Sequence, residues 1–496
     1  MLAHPRSLAL LLSVGVLTGC AVGPDYRPPE IALSSTFLGQ EGVDHRQVQS
    51  KADLQVWWAA FDDPLLTRFV SHALEQNLDL AQAAARVAQS RAALRYADAA
   101  LLPTGNVSVS AARAYQSVET PLGQVLDATP GFDRTGSAYE ANLGASWEID
   151  VFGGLRRGRE AARAAYEASE AGAVATRLAV AAQTADVYVT IRGLQARLAI
   201  ARQQVETRRQ LLAMVRLQYE KGIAAELQVN QAEGSLTQAE AQIPVLEAGL
   251  DSAMNALDVL LGVQPGTNRA ELAPGAPVPV TPGLSATGTP AELIRRRPDL
   301  IVAERRLAAA NARIGVAISE YYPKFSLAGL VGSATAIASG NLFTGAASQA
   351  QGVLGLRWRL FDFGRVDAQI AAARGQEAEA LAAYRLAVLR AAEDVENAFS
   401  ALIKREAQVG ILTRGESSLA RARENSLAAY QGGVVSLIEV LNADDNLLHV
   451  RDAKAQAQTE AARAAIASFR ALGGGWDARD AGSNRLYSDL STTNRR

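Results

Sequence analysis

Two periods alternate along this chain. From Tyr139 to Val151, apolar Tyr139, Ala141, Leu143, Ala145, Trp147, Ile149 and Val151 are interleaved with Glu140, Asn142, Gly144, Ser146, Glu148 and Asp150. A period of two with one apolar and one polar face predicts a β-strand. Val107, Val109 and Ala111 set against Asn106, Ser108 and Ser110 predict another. The second half repeats the pattern less cleanly: Leu354, Leu356, Trp358 and Leu360 alternate with Gly355, Arg357, Arg359 and Phe361. "KFSLAGLVG" from Lys324 is the weakest of the four. The other period is helical. No proline falls between Gly154 and Tyr219, a run of about 100 Å at the helical rise. Within it Leu198, Ala201, Val205, Arg208, Leu212, Val215 and Tyr219 recur at spacings of three and four, a heptad-like seam with one polar position.

The two periods occur twice. "QNLDLAQAAARVAQSRAALRYADAALLP" (Gln76 to Pro103) echoes "RRPDLIVAERRLAAANARIGVAISEYYP" (Arg296 to Pro323) at an offset of 220. "WEIDVFGG" from Trp147 echoes "WRLFDFGR" from Trp358 at 211, and so do two helix breaks, "YEKGIAAELQVNQAE" from Tyr219 and "YQGGVVSLIEVLNADD" from Tyr430. Each half therefore predicts helix, two strands, long helix, break, helix. The expected organisation is a signal peptide at 1–19, an extended segment at 20–60, a first repeat at 61–262, a Pro/Gly-rich linker at 263–290, a second repeat at 291–473 and a polar tail at 474–496.

The strands have the length that a tilted membrane strand needs, about 9–11 residues. Open edges are not tolerated in lipid, so such strands close into a barrel. Four are too few, since barrels start at about eight strands, whereas three chains would supply about twelve. Two hairpins packed on the helices, polar faces to water, are the soluble alternative. The formal net charge of −2 gives no footprint for nucleic acid. Arg6 followed by apolar Leu8 to Leu17 reads as a secretion signal, too short to span a bilayer. Its end, "LTGC", resembles the lipobox of bacterial lipoproteins, which implies cleavage before Cys20 and lipidation of its thiol. Cys20 is the only cysteine, so no intrachain disulfide forms. The four histidines are dispersed, no metal spacing or phosphate-binding loop is present, and "DFG" at Asp362 lacks the other kinase motifs. No cofactor and no enzymatic activity are expected.

"CAVGPDYRPP", "RRPDLIVAERRLAAANARIGVAISEYYPKFSL", "WRLFDFGR" and "YQGGVVSLIEVLNADD" are similar to segments of the TolC-like outer-membrane efflux proteins. They most resemble the lipoprotein branch that includes NodT and OprM. The resemblance covers nearly all of the mature chain. It implies a mixed α and β membrane fold: a homotrimer whose twelve-strand β-barrel, four strands per chain, continues as a long α-helical coiled-coil barrel with an irregular equatorial region. It also implies a passive channel in the outer membrane of a Gram-negative bacterium, lipid-anchored and extending into the periplasm. The implied partners are a periplasmic adaptor and an inner-membrane pump of the resistance-nodulation-division (RND) type.

By motif position, the resemblance puts the periplasmic gate at the second break, on Ile438, Glu439 and Asn442, with Asp444 and Asp445 one turn on. Three copies of Glu439 around an axis would favour cations. Asn442 stands where the family pattern has Asp. Read from sequence alone, Glu439, Asp444 and Asp445 are a solvated helix face, and the family position is what turns the reading towards a gate. Gly222, Gly432 and Gly433 are the expected tip helix breaks. Lys221 and Glu226 are candidate adaptor contacts, and Glu140, Glu148 and Asp150 are candidate lumen-facing groups. The competing function is a lipid-anchored periplasmic coiled-coil scaffold without a pore.

Overall fold

The computed structural model describes residues 21–32, 34–46, 53–284 and 289–476. The signal segment, Cys20 and most of the polar tail lie outside the described residues. The main elements are α1 (Pro64–Gln76), α2 (Leu78–Ala99), β1 (Thr104–Tyr115), β2 (Thr135–Ile149), α3 (Gly154–Glu220), α4 (Glu226–Glu240), α5 (Gln242–Leu260), α6 (Pro290–Arg296), α7 (Pro298–Ser319), β3 (Lys324–Thr335), β4 (Ser348–Arg357), α8 (Arg365–Gln431) and α9 (Leu437–Ala471). Both long helices, α3 and α8, have 67 residues. Pro244 separates α4 from α5, whereas Ala455 stands at the equivalent position inside α9, which runs unbroken. The chain divides into two compact units, each drawing on both halves of the sequence.

One unit contains Ala88–Glu167 and Glu304–Ala382. Its centre is an antiparallel sheet in the order β1-β2-β3-β4. Thr104 faces Ser146 in the first hairpin and Lys324 faces Arg357 in the second. Moving the first strand by 220 and the second by 211 converts one pair into the other, so the repeat is kept to the residue in the ladder. Side chains alternate across the sheet. Val107, Leu143 and Val331 stand side by side on one face, as do Trp147, Leu327 and Leu354. Glu140, Asn142, Glu148, Ser326 and Gln349 belong to the other. The apolar face is open: Val107 is 73% exposed, and Leu143 and Val331 are each 55% exposed.

The last strand differs from expectation. Alternation carried it from Leu354 to Phe361, but β4 runs from Ser348 to Arg357. Its start, "SQAQG", has no apolar face to betray it, and its end is set by Trp358. The indole Nε1 of Trp358 donates to the Tyr321 carbonyl at 2.9 Å, as Trp147 Nε1 donates to Leu101 at 2.9 Å. Just beyond, an aspartate caps each long helix. The Asp150 carboxylate accepts from the N–H groups of Leu155 and Arg156 at 3.1 and 2.9 Å. The Asp362 carboxylate accepts from Gly364 and Val366 at 3.1 and 2.9 Å. Acceptors at this end satisfy orphan donors and oppose the helix dipole.

The other unit contains Glu30–Val87, Ala168–Ala303 and the chain from Ala383. Trp57, Phe61, Phe69, Tyr188 and Phe469 anchor its largest core, with Trp57 and Phe469 stacked at 5.3 Å. The repeat shows here as duplicated anchors. Asn77 Nδ2 donates to the Leu260 carbonyl at 2.8 Å, and Arg297 Nη1 donates to Ala471 at 3.3 Å. These are equivalent donors on equivalent carbonyls, each at the end of the last helix of its half. Arg297, in the long RRPD motif, also pairs with Asp299 and Asp394 at 2.8 and 3.0 Å. That motif is therefore architectural. Among the expected seam residues, Leu198, Ala201, Val205, Arg208, Leu212 and Val215 are buried, while Tyr219 is exposed.

Candidate functional site

The two helix breaks share one backbone solution. At the first, Ile223 N donates to the Gln218 carbonyl at 2.8 Å and Gly222 N to Tyr219 at 2.9 Å. At the second, Val434 N donates to Ala429 and Gly433 N to Tyr430, each at 2.9 Å. This pair of bonds closes a helix with a left-handed residue, supplied by Gly222 at φ 70° and Gly433 at φ 74°. Gly432, also an expected helix break, lies in the same turn without taking the left-handed role. It is the counterpart of Lys221, and its φ lies outside the left-handed region. The hairpins hold together through Leu211, Leu212, Val215, Ala232, Tyr430, Leu437 and Val440, and the Tyr430 hydroxyl donates to Gln218 Oε1 at 2.7 Å.

After the turn, the first residues of α9 are sorted by the helical period. Leu437, Val440 and Asp444 are buried, whereas Ile438, Glu439 and Asn442 are exposed. Ser436 and Glu439 have the spacing of a capping box, yet no side-chain cap forms. The Glu439 N–H donates to the Ser436 carbonyl at 3.2 Å, but its carboxylate makes no hydrogen bond or ion pair among the described residues. At the equivalent position Gln228 does cap its helix, accepting from Ala225 N at 3.1 Å. The two copies thus differ in whether the third residue of the helix is occupied locally or left free.

Asp444 and Asp445 are held within the chain. Asp444 Oδ1 accepts from Arg423 Nε on α8 at 2.8 Å, and only 3% of its side chain is exposed. Asp445 pairs with Arg208 of α3, whose side chain is 2% exposed and whose Nη1 donates to the Ser235 carbonyl at 2.7 Å. The polar interruption in the α3 seam is this buried cation. Its partner lies 237 residues away, beyond the reach of any local pattern. Higher along the same pair of helices, Glu416 of α8 accepts from Lys454 at 2.9 Å and Arg451 at 3.1 Å. The Lys454 ammonium first, and then Arg451, hold its carboxyl below the usual range.

The remaining candidates divide. Lys221 and Glu226 are exposed at the first break without ion pairs among the described residues. Glu140 and Glu148 lie on the sheet's polar face. Asn142 is 7% exposed there and accepts from Gln349 Nε2 at 2.8 Å. Asp150 is a correction: it lies past the last residue of β2, where its carboxylate caps α3 and pairs with Arg156 at 3.3 Å. Among the described residues, no group of histidine, cysteine and acidic side chains is placed to hold a metal ion, and no helix is long and apolar enough to cross a membrane.

The sequence profile described as outer membrane efflux protein matches residues 69–263 and 289–474. Nodulation protein T of Rhizobium leguminosarum bv. trifolii is 31% identical over 464 residues, 93% of this chain and 96% of its own. Outer membrane protein OprJ of Pseudomonas aeruginosa is 31% identical over 471 residues, 95% of each chain. Among solved structures, the outer-membrane channel OprN superposes with a TM-score of 0.84 at 32% identity, over 92% of this chain and 100% of that one. The expected fold class holds for the chain: it is mixed α and β, with a four-stranded antiparallel sheet and two 67-residue helices, the fold that OprN shares. The chain belongs to the outer membrane efflux protein family.

Proposed function

We propose that this protein is the outer-membrane channel of a tripartite efflux system, a passive trimeric conduit closed at its periplasmic helical tip. The observation that carries the reading is the sorting at the second break. Ile438, Glu439 and Asn442 are left exposed, with Glu439 uncapped, while the neighbouring apolar and acidic positions are used inside the chain. Around a threefold axis, Ile438 would supply bulk and Glu439 a ring of three carboxylates that admits cations and repels anions. Asp444 and Asp445 are committed to arginines, so they do not replace the carboxylate missing at Asn442, and the gate has one acidic ring. The open apolar face of the sheet suits lipid, and the face with Glu140 and Glu148 suits a water-filled lumen. Lys221 and Glu226 would meet a periplasmic adaptor, Cys20 would carry the lipid anchor, and the likeness to the lipoprotein branch favours an RND pump.

Planar-bilayer recording tests this reading. The purified trimer with Ile438→Ala and Glu439→Ala is expected to conduct more than the parent, and Glu439→Gln alone to lose preference for cations. A double variant that stays trimeric and as closed as the parent would overturn the gate assignment.

A further inference from the structure

We infer that β4 of one chain pairs antiparallel with β1 of the partner subunit in one definite register, with Leu354 facing Ala111 of the partner subunit and Val353 facing Ala112 of the partner subunit. This rests on the trimeric reading and sharpens it. The two edges of the sheet are β1 and β4. Neither carries the proline, lysine or bulge that blunts a free edge. Every residue of β1 is exposed, and all but one of β4.

The register follows from the repeat. The two hairpins superimpose in sequence to the residue, as Thr104↔Ser146 and Lys324↔Arg357 show. The junction between hairpins inside one chain is β2 with β3, where Leu143 faces Val331 and Asn142 faces Gly332. In a closed ring of like hairpins, the junction between chains is the same contact one repeat on. Moving β2 forward by 211 gives β4, and moving β3 back by 220 gives β1. Leu143↔Val331 becomes Leu354↔Ala111, and Asn142↔Gly332 becomes Val353↔Ala112.

Two features are consistent with the derived register. A slip of one residue would turn a strand over. The derived register keeps faces together, since Leu354 shares the apolar face with Leu143, and Ala111 shares it with Val107. It also sets small against large: Gly352 meets Arg113 of the partner subunit, and Ala350 meets Tyr115 of the partner subunit.

Cysteine pairs test it, because directly opposed residues lie within disulfide reach and diagonal ones do not. Leu354→Cys with Ala111→Cys, and Val353→Cys with Ala112→Cys, sample the two kinds of antiparallel pair. Leu354→Cys with Val109→Cys, and Leu354→Cys with Arg113→Cys, sample slips of two residues. Each detergent-purified variant is sized by light scattering, oxidised and run without reductant. The expected result is a trimer in which the in-register pairs shift from a single-chain band to bands of two and three chains, and the slipped pairs do not. A trimer whose slipped pairs form the ladder instead overturns the register. A trimer with no ladder in any variant overturns the pairing of β4 with β1. A parent chain that is monomeric removes the trimeric reading itself.

Discussion

Gly433 shows how much one position decides. It sits at φ 74° and ends a helix of 67 residues, whereas Gly432 beside it has ordinary backbone and room for a methyl group. Gly433→Ala should therefore cost about 1–2 kcal/mol, the penalty of a left-handed L-residue, and Gly432→Ala close to nothing. Thermal denaturation in detergent would separate them, and equal loss in both would contradict the assignment. Asn77 is a second decisive residue. It is buried and gives the Leu260 carbonyl its partner, so Asn77→Ala should cost about 1–3 kcal/mol by leaving a buried acceptor unmet. Sequence singled out the glycines because a break in an Ala-rich run is visible locally. It could not single out Asn77 or Arg297, since their carbonyl partners lie 183 and 174 residues away.

Between elements, the tip is held by arginine and aspartate as well as by apolar contact. Arg208 is buried with a single acidic partner, and its Nε has none. Asp445→Ala should thus cost about 3–5 kcal/mol by stranding a buried cation, while Arg208→Met, which removes the charge, should cost less. Hydrogen exchange along α9 would rank the two, and the reverse order would refute the pair's role. Glu416 gives the acid response. Its folded pKa is depressed, so its stabilising effect is full above the unfolded carboxylate range and is lost as pH falls through the lower folded value. Stability measured from pH 6 downward should fall less steeply in Glu416→Gln than in the parent, beginning below about pH 4.5. An unchanged slope would show that the cluster is neutral to folding. Ile438, Glu439 and Asn442 were reached through the family resemblance by motif position, not through a periodic pattern. The commitment of Asp444 and Asp445 was not legible, because charge on a helix reads the same whether paired or solvated.

For the whole molecule, the duplicated grammar was the most legible property. Two offsets placed both long helices, both breaks and three of the four strands. β4 was displaced because its first residues have no apolar side and its apparent continuation is taken up by Trp358. The compact units were not legible, since each gathers segments from both halves and contact between distant segments leaves no trace in a linear pattern.

The two unblunted edges bear on how the protein is made. A lone chain is the species with everything to lose, because either edge will accept any extended strand it meets. Correct closure needs chains to meet one another, so its rate rises with their local concentration. Capture by stray segments does not share that dependence on the protein's own abundance. Scarcity should therefore favour misassembly, and holding nascent chains on a common surface should favour the ring by turning a search in volume into a search in area.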